Sequence, residues 1–369
     1  MRLLDKLLWR ELIGPFLFGV IAFTSVFFAG TYLLKLTNWV MNGMSLLTAI
    51  QMLLLYVPYV IVFTLPMSTL LAVLLGLGRL SGDSEVVAMF AGGISLYRIV
   101  APIAALGLLV SVGSIFLNEV VVPSASSRNA ELEAAALHQE TKAKASFTLL
   151  DEGTNSLIAV KGGVDAKTGV LKDVTIVQYM HGRPGIVVYA QRAVWAGMKD
   201  NNDRSAWRLY DGYWQLVGGD SPAMSTFSKS QTREIKIDKT PNQLAMFQKK
   251  SEQMSFTELS QFVRYLKAHP DRPLKDIAEL DVDRWNKLAF PLASLVFALL
   301  AAPMGIRPSR SGSSVGFGLS ILLIFIYWII WHYTSSLAVQ GNIPPIMGAF
   351  MADVLGLAAA VVLLRRAAR

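Results

Sequence analysis

Six apolar stretches, each long enough to cross a hydrocarbon layer, constrain this chain more than any other feature. A layer of about 30 Å takes about 20 helical residues to cross, and suitable runs occupy positions 13–34, 48–77, 96–122, 288–304, 315–339 and 346–364. Composition agrees that lipid is the solvent. A chain of 369 residues that is 53% hydrophobic and 16% charged, with a mean hydropathy of +0.45, has more apolar surface than one water-soluble core can hide. The fold class expected is therefore an α-helical membrane protein with six transmembrane helices, interrupted between the third and fourth by a polar insert.

Orientation follows from the basic residues. Arg2, Lys6 and Arg10 precede the first span, Arg79 and Arg98 flank the link between the second and third, Arg307 and Arg310 lie between the fourth and fifth, and Arg365, Arg366 and Arg369 close the chain. The opposite short connections, 36–47 and 340–345, hold no Lys or Arg. An excess of positive charge marks the cytoplasmic side, so both termini are expected there and the long insert outside. The net charge of +8 then reads as an orientation signal and membrane-surface attraction, with no nucleic acid partner implied. The first span is too long for a signal-peptide core and lacks a small-residue cleavage pattern, so it is expected to be retained.

The insert, about 123–281, changes character. Segments 156–160, 170–180, 185–195, 205–213 and 232–237 are rich in Val, Ile, Tyr and Trp, and Gly162-Gly163, Asn201-Asn202, Asp211-Gly212 and Gly218-Gly219 break them. An antiparallel all-β domain is expected, jelly-roll-like, with an open barrel as the rival. The chain has no cysteine, so such a domain depends on core burial or partners for stability. Ser255 and Glu258 have capping-box spacing, with Leu259, Phe262, Val263 and Leu266 on one face after them, which predicts a return helix over about 256–269, ended by Pro270 and Pro273.

Between the second and third spans, residues 79–92 carry Glu85 ahead of helix formers, with Gly92-Gly93 as a stop signal. A helix lying along the cytoplasmic surface is expected, where a soluble partner can grip it. A carboxylate at Glu85 can pair with an Arg or Lys in that partner's groove; a solvated helix face is the plainer reading. Asp83 either shares the role or caps the helix. Enzyme chemistry is missing: no phosphate-binding glycine loop, metal-spaced His cluster or nucleophile elbow is visible, and the four histidines, His138, His181, His269 and His332, are scattered. No catalytic or metal-binding residues are expected.

Ser84-Glu85 followed by Met89, Ala91, Gly93 and Ser95, the β insert between spans three and four, and the ending Ile343-Pro344-Pro345-Ile346-Met347-Gly348-Ala349 together resemble the lipopolysaccharide export permeases of the LptF/LptG (YjgP/YjgQ) family. The likeness covers nearly the whole chain. Trp207-Arg208-Leu209, Val263-Arg264-Tyr265-Leu266-Lys267 and the closing Ile-Pro-Pro-Ile run are closer to the LptG branch.

The resemblance implies an inner-membrane transport subunit of a diderm bacterium that does not itself hydrolyse ATP. It implies a second LptF/LptG-type permease, a dimeric cytoplasmic ATPase resembling LptB that binds ATP and magnesium, a single-span periplasmic partner resembling LptC, and lipopolysaccharide as cargo. On the same basis Glu85, Asp83, Arg79 and Met89 are expected to meet the ATPase. Phe23, Phe27 and Phe28 on span one and Phe325, Trp328 and Trp331 on span five are expected to line a cavity for acyl chains, with lipid-facing or helix-packing duty as the alternative for each. Lys35, near the outer end of span one, is expected to meet a lipid A phosphate, against ordinary snorkelling. Asp353 departs from the family expectation by placing a carboxyl inside span six, where it needs a partner; His332 or a neighbouring helix are the alternatives. Two other functions stay open: a membrane-anchored scaffold for periplasmic partners, and a permease for a different amphiphile.

Overall fold

The computed structural model describes residues 3–136, 147–151, 155–165, 168–180, 183–198, 205–217, 224–227, 233–237, 240–268, 274–306 and 313–367. The turn signals Asn201-Asn202 and Gly218-Gly219, the prolines Pro270 and Pro273, the basic residues Arg2, Arg307, Arg310 and Arg369, and His138, His181 and His269 lie outside them. The chain divides into a membrane unit (1–129, 255–260 and 278–369) and a β unit (130–254 and 261–277).

The first span is longer than its apolar run: α1 (Leu3–Phe27) passes through a π-helical turn, Phe28–Tyr32, into α2 (Leu33–Met41). The second apolar run, expected to be continuous, is two helices, α3 (Leu46–Leu55) and α4 (Val57–Gly82), meeting at Tyr56. Pro58 explains the break, because its ring clashes with the preceding turn yet suits the first turn of a new helix. The helix expected over 79–92 is also divided. Arg79 lies in the last turn of α4, Ser84 takes a left-handed φ of 61°, and only α5 (Glu85–Ala91) forms the surface helix. The Gly92-Gly93 stop works as read. Gly93 adopts φ +80° while its N–H and that of Ile94 donate to the carbonyls of Phe90 and Met89, a left-handed cap that glycine adopts without strain.

The third span, α6 (Leu96–Phe116), runs through a second π-helical turn, Leu117–Val121, into α7 (Val122–Ala136). Among the described residues eight strands follow: β1 (Phe147–Asp151), β2 (Ser156–Val160), β3 (Val164–Asp165), β4 (Val170–Met180), β5 (Arg183–Met198), β6 (Ser205–Leu216), β7 (Met224–Phe227) and β8 (Arg233–Ile237). Next come α8 (Pro241–Gln248) and α9 (Phe256–Ala268), and the chain ends in the spanning helices α10 (Leu274–Gly305), α11 (Ser313–Val339) and α12 (Pro345–Ala367). Among the described residues, six helical segments are long and apolar enough to cross a membrane. The capping box at the start of α9 is present: the Ser255 N–H donates to the Glu258 carboxylate and the Glu258 N–H to the Ser255 hydroxyl, both at 3.1 Å.

The insert is the expected antiparallel sheet, in order β1-β2-β4-β5-β6-β7, with β3 beside β4 and β8 beside β6. Two long strands change partner along their length. β4 pairs with β3 before Asp173 and with β2 after it, and β6 pairs with β8 before Asp211 and with β7 after it. Both aspartates are left-handed, at φ 51° and 52°, so each change of partner sits at a local kink. The Tyr189 hydroxyl donates to Asp173 at 2.9 Å, and this bond, with some burial, raises the phenol above its usual pKa. Trp207, Leu209, Ile158 and Leu171 fill the core, and Phe247 of α8 stacks on Phe147 and meets the Phe262 ring edge-on.

In the membrane unit α4 is the hub. Leu70, Leu71, Ala72, Val73, Leu74 and Leu77 are all at 2% exposure or less, and α1, α6 and α11 all pack on this helix. Lipid tails are as apolar as leucine, so spanning helices associate through close packing and interhelical hydrogen bonds, which favours small residues at crossings. At the crossing of α6 and α10, a Cβ on Gly107 would stand 2.7 Å from the Ala298 Cβ and 3.0 Å from the Leu295 Cα. Gly107→Leu should therefore overpack that crossing, at a cost of about 1–3 kcal/mol, and lower the thermal midpoint of the detergent-solubilised protein. Gly113→Ala, with nothing within 4 Å of its new Cβ, should not lower the midpoint, since alanine suits a helix interior better than glycine; a wild-type midpoint for Gly107→Leu would contradict the crossing.

Candidate functional site

Two regions of the membrane unit collect the residues singled out by sequence. The first surrounds α5. Val86 is 1% exposed within the apolar core that also contains Leu80 and Leu96, and Met89 packs against the same core. Other positions of this short helix are open: Glu85 is exposed, as are Val87 and Phe90. An exposed acid and two exposed apolar side chains on one short helix are groups a partner can use, the charge to orient it and the apolar groups to exclude water. Met89 thus braces α5 from inside. Asp83 does not cap the helix, because Ser84 is its N-cap residue, with no side-chain cap bond; the Asp83 carboxylate lies 3.9 Å from the Arg79 guanidinium. Arg79 also makes a 3.0 Å ion pair with Glu11 on α1.

The second region lies at the far end of α1. The π-helical turn carries Phe28 and Tyr32, and the Tyr32 ring is 5.2 Å from Phe28 and 4.6 Å from Tyr56 at the joint of α3 and α4. Trp39 also stacks with Tyr56, ring centroids 6.3 Å apart. Lys35 stands over this group, its ammonium 5.0 Å from the centroids of both Tyr32 and Tyr56. Each such contact contributes about 0.5–1 kcal/mol at an exposed site. Ring faces attract the charge without occupying the conventional acceptor positions of its three N–H donors, so Lys35 is held in place and still free to donate to an anion. π-Helical turns recur at functional sites, and this one delivers Tyr32 to the rings beneath Lys35.

The expected aromatic wall divides in two. Phe325 is 63% exposed, and Phe23, Phe27 and Phe28 are half-buried. Trp328 and Trp331 belong to a packed cluster instead, with Trp328 5.9 Å and Trp331 4.8 Å from Phe290. The Trp331 N–H donates to Asn286 on α10 at 3.0 Å. Bare apolar faces run along α1, at Leu17, Ile21 and Val26, and along α11, at Ile321, Phe325 and Ile329. The partner of Asp353 is Tyr327, whose hydroxyl donates to it at 3.2 Å; His332 is exposed and meets Trp331.

The family model for the lipopolysaccharide export system permease LptF/LptG matches residues 6–366. The chain belongs to the LptF/LptG family. Among its relatives is the lipopolysaccharide export system permease protein LptG of Escherichia coli K12, 26% identical over 314 residues that cover 81% of this chain and 80% of the relative. LptG of Haemophilus influenzae is 24% identical over 306 residues, covering 79% and 78%. As an LptF/LptG permease with six apolar helices of spanning length among the described residues, the chain is a multi-pass protein of the inner membrane.

Several residues of this permease escaped the sequence. Tyr32 stands one helical turn before Lys35, a spacing that could have suggested it, but Tyr56 is distant in sequence and no local pattern links the two. Glu11 and Asp5 read only as acids near a membrane surface. Tyr327 is one aromatic among many on α11, yet it supplies the donor that satisfies a carboxyl oxygen in the membrane. Interhelical hydrogen bonds in membranes average about 0.6 kcal/mol, so Tyr327→Phe should lower the thermal midpoint of the solubilised permease slightly. A rise would mean that burying the hydroxyl costs more than the bond returns.

Proposed function

We propose that this chain is one half of the membrane channel of an ATP-driven lipopolysaccharide exporter. The observation that carries the proposal is α5, a short helix that turns Glu85, Val87 and Phe90 outward between two spanning helices. A scaffold has no use for such a face, whereas a transporter driven from another chain needs one. Both termini and α5 are cytoplasmic and the β unit is periplasmic, as the arrangement of Lys and Arg supports. A dimeric ATPase docks on α5, holds ATP and magnesium, and supplies the energy; this chain catalyses no reaction.

Lipopolysaccharide is both polyanionic and strongly apolar, and the membrane unit offers matching groups. The bare faces of α1 and α11, with Phe23, Phe27, Phe28 and Phe325, meet a second LptF/LptG-type permease around a space that takes acyl chains, and Trp328 and Trp331 stiffen its wall from inside the helix packing. Lys35, oriented by Tyr32 and Tyr56, meets a phosphate of the headgroup, where a charge-assisted bond is stronger than a neutral one. The periplasmic β unit passes the lipid to a single-span partner and on to a protein bridge across the periplasm.

Gentle purification of the native complex through a tag on this chain, read by mass spectrometry, is expected to recover a P-loop ATPase, a sister six-span chain and a single-span periplasmic protein. Periplasmic partners without an ATPase would favour a scaffold. Lys35→Glu is expected to lower lipopolysaccharide release from proteoliposomes at least tenfold while the complex still assembles; undiminished release would remove Lys35 from lipid contact. Glu85→Lys should abolish co-purification of the ATPase, and intact association with normal stimulated hydrolysis would refute docking through that carboxylate.

A further inference from the structure

Two arginines bracket the segment that carries α5, and acids on α1 hold both. Arg79, in the last turn of α4, pairs with Glu11 at 3.0 Å, and Arg98, in the first turn of α6, pairs with Asp5 at 2.7 Å. Both acids are sheltered, with side chains 17% and 19% exposed. The Arg79 side chain is 68% exposed and that of Arg98 31%, so each pair is partly solvated and contributes little stability by itself; a charge-assisted bond is nonetheless short and directional, and so fixes the geometry of the helices it joins. Between the two acids Leu8 is fully buried, and Leu12 follows at 1% exposure, in the apolar core that also takes in Leu80, Val86 and Leu96. The backbones of α1 and α4 come close because residue 76 is glycine: a Cβ there would stand 3.0 Å from the Leu12 side chain and 3.2 Å from the Glu11 carbonyl oxygen.

We propose that the Glu11–Arg79 and Asp5–Arg98 pairs form a two-point yoke that makes α1 move as one body with the docking segment. This rests on the function proposed above, since it assigns the yoke to passing force from a docked ATPase to the helix that leads to Lys35. One ion pair would let α1 roll about the contact. Two pairs, to helices on either side of α5, resist rolling and sliding together. Asp5 and Glu11 are positioning residues: they hold arginines of this same chain.

The test uses the purified complex of this chain with its sister permease and ATPase in lipopolysaccharide-loaded proteoliposomes, reading lipid released per ATP hydrolysed. Glu11→Arg with Asp5→Arg is expected to lower that ratio several-fold while the ATPase still co-purifies and hydrolyses ATP. Adding Arg79→Glu and Arg98→Glu, which restores both pairs with reversed sign, is expected to recover it. Glu11→Gln with Asp5→Asn keeps the side-chain shapes, guards against misfolding, and should lower the ratio less but in the same direction. An unchanged ratio in the charge-reversed or the amide variant overturns the yoke, as does a loss that reversing the arginines fails to repair. A wild-type complex that hydrolyses ATP and releases no lipopolysaccharide overturns the proposed function itself, and the yoke with it.

Discussion

Close packing around α4 is the constraint on which the membrane unit depends. Lipid tails give an apolar side chain as good a home as another helix does, so helices stay together only where backbones approach and polar groups find partners. α4 meets both conditions. Gly76 admits α1, while Gly305 of α10 and Gly316 of α11 let those helices reach Leu77 and the Leu74 carbonyl. The Ser68 and Thr69 hydroxyls donate back to the carbonyls of Thr64 and Leu65, leaving the surface of α4 to packing. Because α1 and α11 spend one face on this hub, their other faces stay bare and available to lipid or to another chain.

Polar contacts then set how individual helices are oriented. Tyr327 to Asp353, Trp331 to Asn286, Thr334 to the Gly348 carbonyl and Asn118 to the Lys287 carbonyl each join two spanning helices, where a polar group without a partner is costly. Glu119, in the π-helical turn after α6, accepts from the N–H of Phe256 at 2.7 Å and from the hydroxyl of Thr257 at 2.8 Å. A carboxylate at a helix N-terminus satisfies donors that have no partner within the helix and complements its dipole. The start of the return helix is thereby fixed to the end of the third span.

Arg79 and Arg98 illustrate how one residue serves two purposes. Their charge is the kind of signal by which the positive-inside rule orients a membrane protein. In the folded unit Arg79 and Arg98 also reach back to α1 and pair with its acids, so a signal for topology becomes a structural strut. Lys35 shows the complementary case. A lone basic residue near a membrane end can simply snorkel, but two tyrosine rings hold this one in position.

Spanning length, the alternating strands of the insert, the capping box at Ser255 and the glycine stop after α5 were all legible in the sequence, because each rests on periodicity or on a few adjacent residues. So was the family likeness, which the match over residues 6–366 bears out. Tertiary structure decided the rest. It divided the second apolar run at Tyr56, confined the surface helix to Glu85–Ala91, placed Trp328 and Trp331 inside the helix packing and gave Asp353 to Tyr327 in place of His332. It also brought Glu11 to Arg79 and Tyr56 to Lys35. Such pairings join residues far apart in the chain, and helix rotation and crossing geometry determine them, whereas hydropathy reports only that a segment prefers lipid to water.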